Sequence, residues 1–212
     1  MRLITFFKGL KSIICFNRER RMNVKQLSTT LKVRLICDFF QNIIVTAFLP
    51  FIALYLTDMV NQHFAGLFLF ALVMINFPIS LISGHFIERL PKKTLTLSYQ
   101  LILSLMLVVM AITISEHAYM IILFCIAYAI FSITIGMQQP IMDTIIMDAI
   151  TPEVEQYIYK ISYWLTNIAV ALGALIGGLM YGAHKSILFF IAFAIYIMVF
   201  IALFIWLPND LN

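Results

Sequence analysis

Asp38 is the first residue whose position calls for an explanation. It lies a short way inside a long apolar stretch, with Gln41 and Asn42 three and four residues on. That spacing puts the three polar groups on one face of a helix, and the stripe continues near Thr46 and Pro50. An acid within an apolar span is costly and tends to be there for a task. Two tasks fit: carrying a proton, or binding a cationic substrate. The plainer alternative is an acid near the membrane surface that pairs with Lys32 or Arg34. A second polar group closes another apolar stretch: Gln138, Gln139, Pro140 and Asp143. Pro140 can bend a helix there, and the glutamines can line a cavity or bond neighbouring helices. Asn76 with Pro78, and Asn167, are further polar breaks in apolar runs, and Asn167 is expected to face the same central space. Phe39, Tyr128, Tyr163 and Trp164 are rings that could meet a lipophilic cation, although most aromatics in such a chain face lipid.

A third group is a short, charged linker, Gly84-His85-Phe86-Ile87-Glu88-Arg89-Leu90-Pro91-Lys92-Lys93. Gly84 permits close helix approach. Glu88 can accept charge-assisted hydrogen bonds, for which a helix N-terminus is a natural partner. Arg89 needs an acid. The plain alternative makes Arg89, Lys92 and Lys93 topology determinants in solvent.

Other chemistries find no support. Cys15, Cys37 and Cys125 lie far apart and show no metal or redox spacing, so they read as inert thiols. His63, His85, His117 and His184 fall near span ends. There is no HExxH, GxSxG or GxGD motif. An enzyme is not expected, and neither is a metal or an organic cofactor.

The elements that must position these residues are set by composition. The chain has 212 residues, 63% apolar and only 11% charged, with mean hydropathy +1.00. A soluble domain is about 25% charged. Such a surface needs lipid as its solvent. Six stretches reach the roughly 20 apolar residues a membrane helix requires. They run near Val33 to Thr57, Phe64 to Ile87, Thr94 to Ser115, Ala118 to Met142, Ile161 to Ala183, and Ser186 to Leu207. Short linkers make neighbouring helices antiparallel.

Lys and Arg placement sets the orientation. With the N-terminus inside, the cytoplasmic segments hold Arg2, Lys8, Lys11, Arg18, Arg20, Arg21, Lys25, Lys32, Arg34, Arg89, Lys92, Lys93 and Lys160. Only Lys185 remains outside, so both termini are expected in the cytoplasm. The net charge of +4 is concentrated in residues 1–31, and is not a nucleic-acid signal. Ile4, Phe7, Leu10, Ile13 and Ile14 recur there at helical spacing among bases, which suits an amphipathic leader on the inner leaflet. No cleavable signal peptide is evident.

The charged linker, placed between the second and third spans, resembles the signature G-x-L-a-D-R-x-G-R-R/K of the major facilitator superfamily. Glu88 stands at its Asp, Arg89 at its Arg, Lys92 and Lys93 at its final bases, and Pro91 replaces its second Gly. Asp148-Ala-Ile-Thr-Pro-Glu153 resembles the family's D-x-x-P-x-E-x-R linker without the last Arg, which makes Asp148 the implied partner of Arg89. The run Gly173-Ala-Leu-Ile-Gly177-Gly178 is similar to a glycine-rich motif on the fifth helix of the family's drug/proton antiporters. Gly173 and Gly177 make a GxxxG face for helix packing. The first span is similar in texture to multidrug members. The arginine that the family often carries on its fourth helix is absent, which argues against the coupling arrangement that uses it.

The resemblance implies an all-α, polytopic membrane protein. Residues 32–209 would form six transmembrane helices as two inverted three-helix repeats, half of the facilitator fold. It implies secondary active transport at the plasma membrane, with the proton gradient as driving force and export of drugs or lipophilic small molecules by alternating access. Proton-coupled uptake of a small metabolite is the alternative. Glu88, Arg89, Lys92, Lys93 and Asp148, with Gly84, would form a cytoplasmic gate, in which Glu88 latches onto the other half. The implied partners are the lipid bilayer, a small-molecule substrate and a second six-helix half; no nucleic acid is expected. The C-terminal end, 210–212, follows the sixth span directly. The chain therefore reads as a fragment or truncated product, a non-transporting remnant by itself, or else as a half-transporter that pairs with another chain.

Overall fold

The computed structural model describes residues 28–87, 90–114, 118–150, 152–182 and 185–207. The leader through residue 27, Glu88, Arg89, His117, His184 and residues 208–212 lie outside the described residues. The described residues form six helices: α1 (Thr29–Met59), α2 (Gln62–Ile87), α3 (Lys92–Thr113), α4 (Ala118–Ala149), α5 (Pro152–Tyr181) and α6 (Lys185–Trp206). All six are long and apolar enough to cross a membrane. The architecture is all-α, a six-span bundle, as expected.

Helix boundaries differ from the apolar spans where local chemistry extends them. α1 starts at Thr29 rather than near Val33, because the Ser28 hydroxyl accepts from the Leu31 N–H at 3.3 Å and caps it. α4 runs past Met142 to Ala149, and α5 begins at Pro152 rather than near Ile161. Proline suits a first helical position, since its missing N–H would have no partner there. The expected long linker between the fourth and fifth spans is thus mostly helix, and only residues 150–151 connect the two.

The helix partners show an internal repeat. α1 packs mainly on α5, and α4 packs on α2; α1 also packs on α6, and α4 on α3. Exchanging the first three helices for the last three maps each of these pairs onto the other, and maps α3–α6 onto itself. A shift of three spans reverses direction through the membrane, so the two repeats are inverted.

Three cores lie along the bundle among the described residues, the smallest formed by Leu31 and Leu35 of α1 with Ile158 of α5. Toward the Lys185 end, rings dominate: Phe48 lies 5.5 Å from Phe131 and 5.3 Å from Phe189, and Tyr55 lies 4.8 Å from Phe124. Toward the Lys92 end the core is aliphatic, with Cys37, Leu95, Ile141, Ile145 and Leu203. α2 and α5 are the least covered helices. Only 11% and 17% of their spanning windows are buried, against 33–44% for the other four.

Candidate functional site

α1 carries a basic residue into the bundle. Arg34 is 2% exposed and forms an ion pair with Asp38 one turn on. A guanidinium withdrawn from water needs such a partner. Between the two bases the sequence left open for Asp38, the structure thus selects Arg34. Asn42 donates from Nδ2 to the Asp38 carbonyl at 2.8 Å, a bond within the helix that orients the stripe without touching the carboxylate.

α4 brings a second acid to the same arginine. The Asp143 carboxylate lies within electrostatic reach of Arg34, and Gln139 donates from Nε2 to its Oδ1 at 3.3 Å. Asp38 keeps a quarter of its side chain exposed, and Asp143 and Gln139 lie on the open side of α4. The Arg34–Asp38 ion pair of α1 and the Asp143 carboxylate of α4, which acts on the arginine by charge without pairing with it, therefore sit across these two helices, buried at the arginine and open at the acids. Such a cluster can hold one further positive charge, a proton or a monovalent cation.

One turn deeper is a network of amides. Gln41 of α1 and Gln138 of α4 each donate from Nε2 to Gln100 Oε1 at 2.9 Å. Gln100 of α3 donates in turn to the Tyr196 carbonyl of α6 at 3.1 Å. Gln138 is thus a bond between helices, the second of the two roles open to it in sequence. Gln100 went unremarked there, although a glutamine amid leucines with Ser104 one turn on was the available signal. Arg34 entered only as a partner for Asp38, and Asp143 only as the end of a polar run.

At the mouth of the bundle, Lys92 Nζ donates to Asp148 Oδ2 at 2.5 Å. Lys93 Nζ donates to the Leu207 carbonyl at 2.7 Å and lies 5.7 Å from the Phe204 ring, tying α3 to the end of α6. The expected partner of Asp148 was Arg89. Among the described residues its partner is Lys92; Glu88 and Arg89 lie outside them.

The glycines divide. A Cβ at Gly173 would overlap the Ile43 carbonyl, and one at Gly177 would overlap the Ala47 carbonyl. The GxxxG face is therefore where α5 meets α1 backbone to backbone. Gly84 and Gly178 meet nothing within 4 Å among the described residues. Gly136 does: a Cβ there would come 2.9 Å from Asn76 Oδ1, and Asn76 donates to Ser132 Oγ at 2.8 Å across α2 and α4. Asn167 is exposed and bonds the Tyr163 carbonyl of its own helix at 2.7 Å, so it does not join the α1–α4 cluster. Of the candidate rings, Tyr128 is buried beside Phe68, Phe39 packs edge-on against Phe40, and Tyr163 and Trp164 are exposed on α5.

The profile of the Major Facilitator Superfamily matches residues 34–211. The chain belongs to this superfamily. The match covers all six helices of this facilitator except the first turn of α1, so the bundle is a multi-pass membrane protein of a transporter family rather than of an enzyme family. A sodium, lithium and potassium ion/proton antiporter of Planococcus maritimus is 24% identical over 164 residues, 77% of this chain. The facilitator chain spans 39% of that relative's length.

Proposed function

We propose that this facilitator chain is the first six-helix half of a proton-coupled antiporter that exports drugs or other lipophilic small molecules, cations above all, by alternating access. The observation that carries the reading is the Arg34–Asp38–Asp143 cluster on the open side of α1 and α4. A proton and a cation competing for the same carboxylates are exchanged without either being present at once. Asp38 is the coupling carboxylate, and Asp143 shares Arg34 with it. No organic cofactor is involved; the proton gradient drives the cycle.

The rest of the reading follows from charge and cover. Thirteen of the fourteen Lys and Arg residues fall on one side if both termini lie in the cytoplasm of a cell bounded by this membrane. The Lys92–Asp148 pair, with Glu88 and Arg89, then belongs to the cytoplasmic gate. α2 and α5, with the smallest buried shares, are the faces a second six-helix half would cover.

The test is proton release from acid-loaded vesicles that carry the protein, triggered by a lipophilic cation. Asp38→Asn is expected to abolish gradient-driven exchange while the protein still inserts. Full exchange by that variant would reject the reading. The relative's exchange of sodium, lithium and potassium ions for protons favours a second reading, exchange of alkali cations. Substituting sodium, lithium or potassium for the lipophilic cation in the same vesicles separates the two.

A further inference from the structure

Gln100 makes contacts that no other polar side chain among the described residues makes. It is fully buried on α3, its Oε1 accepts from two helices, and its Nε2 donates to a third. A carbonyl oxygen has two lone pairs, so the acceptor is filled. The two donors sit next to the charged cluster: Gln41 is three residues beyond Asp38 on α1, and Gln138 adjoins Gln139 on α4, which holds Asp143. The cross-link therefore spans the same two helices that the cluster spans, one turn away from it.

We infer that Gln100 is the positioning residue of the cluster: its paired bonds to Gln41 and Gln138 keep Asp143 of α4 within reach of Arg34 of α1. The geometry makes the two acids unequal. Asp38 is on the same helix as Arg34, four residues away, and needs nothing from α3 to stay beside it. Asp143 reaches Arg34 only while α4 keeps its distance from α1. Cutting the cross-link separates the acids chemically: Asp38 keeps its ion pair, and Asp143 loses the nearby positive charge. The inference rests on the antiporter reading for its purpose, since shared use of Arg34 is what would couple two cation-binding carboxylates. Its test needs no transport, so the two can fail separately.

The test is carboxyl labelling of the chain in lipid nanodiscs with N,N′-dicyclohexylcarbodiimide. The protonated acid adds across the carbodiimide and rearranges to a stable N-acylurea, which is counted at Asp38 and Asp143 by peptide mass spectrometry. Three variants are compared: Gln138→Met, which cuts only the α4 arm; Gln100→Met; and the triple Gln41→Met/Gln100→Met/Gln138→Met. Asp143 is expected to label about tenfold faster at neutral pH in all three, because a carboxylate that loses a nearby positive charge holds its proton more often. Asp38 is expected to change by less than about twofold, because its partner is on its own helix. Gln100→Met leaves two amides without an acceptor, whereas the triple variant leaves none, so the triple is expected to regain thermal stability but not slow Asp143 labelling. Equal acceleration at both acids would mean general loosening and would overturn the inference. So would unchanged Asp143 labelling, or its return to the wild-type rate in the triple variant.

Discussion

At the Lys185 end of the bundle, α1, α4 and α6 meet through rings. Phe48, Phe131, Phe189, Tyr55 and Phe124 interlock at 4.8–5.5 Å. At the Lys92 end the same helices share an aliphatic core, and α1 and α4 also carry Arg34, Asp38, Gln41, Gln138 and Asp143 toward each other, with Gln100 of α3 between the glutamines. Lipid supplies no hydrophobic force to hold helices together, so dispersion and polar bonds must do it. The two devices respond differently to motion. Interlocked rings lose contact energy as soon as a gap opens. Amides and carboxylates can exchange one partner for another or for water at little net cost. The ring end is suited to hold the bundle, and the polar end to change.

The contrast can be broken first at its strongest point. Phe124→Ala removes a ring that touches both Tyr55 and Phe189. A loss of about 3–5 kcal/mol is expected, as for other buried phenylalanines, measured by denaturant unfolding in micelles. A loss below about 1 kcal/mol would show that the rings are not what holds that end. Next comes the α1–α5 contact, which belongs to neither end. Gly177→Ala pushes a methyl group into the Ala47 carbonyl, and about 1–3 kcal/mol of overpacking is expected. Gly178→Ala, one residue on, meets open space and is expected to be neutral within about 0.5 kcal/mol. If both variants stabilise the bundle alike, helix propensity rather than backbone contact decides.

How much of this the sequence reveals depends on range. Six spans follow from composition alone, because a stretch that is apolar all round has one stable solvent. The GxxxG contact is legible because both glycines lie on one helix face. The Arg34–Asp38 pair is legible for the same reason, being a local i, i+4 spacing. Asp143 beside Arg34, and Gln100 between Gln41 and Gln138, are separated by scores of residues in the chain. Nothing in local periodicity says which polar face of α3 meets which face of α1 and α4. Asp148 is a partial case: the family pattern points to Arg89, which lies outside the described residues, and among these Lys92 at the start of α3 reaches it. Gly84 and Gly178 show that a residue type which permits contact does not by itself place one.

The Lys92–Asp148 pair should have a smaller effect than either core. Lys92 is buried and Asp148 is partly exposed, so Asp148→Asn leaves a covered ammonium without its carboxylate. A loss near 1 kcal/mol is expected, the upper range for pairs that water still reaches. Thermal unfolding at low and high salt checks it. A salt-independent loss would place the pair in the bundle's core rather than at its mouth, and the polar end would then be less adaptable than the contrast supposes.

The smallest effect tests the Lys185 charge at the ring end. The Lys185 ammonium lies 4.6 Å from the Tyr181 ring centroid and 5.7 Å from that of Tyr55. Lys185→Met keeps an unbranched stem over the rings while removing the charge, so the difference isolates the cation–π contribution. About 0.5–1 kcal/mol is expected, because the ammonium sits at the helix end where water competes with the rings. Lys185→Arg should retain it, since a guanidinium binds ring faces as well. A loss above about 2 kcal/mol for the methionine variant would mean a desolvated charge contributes to this end as a whole ring does. The two ends would then differ in degree, with a charge at the heart of each, and the Lys185 end would become as plausible a place for motion as the Lys92 end.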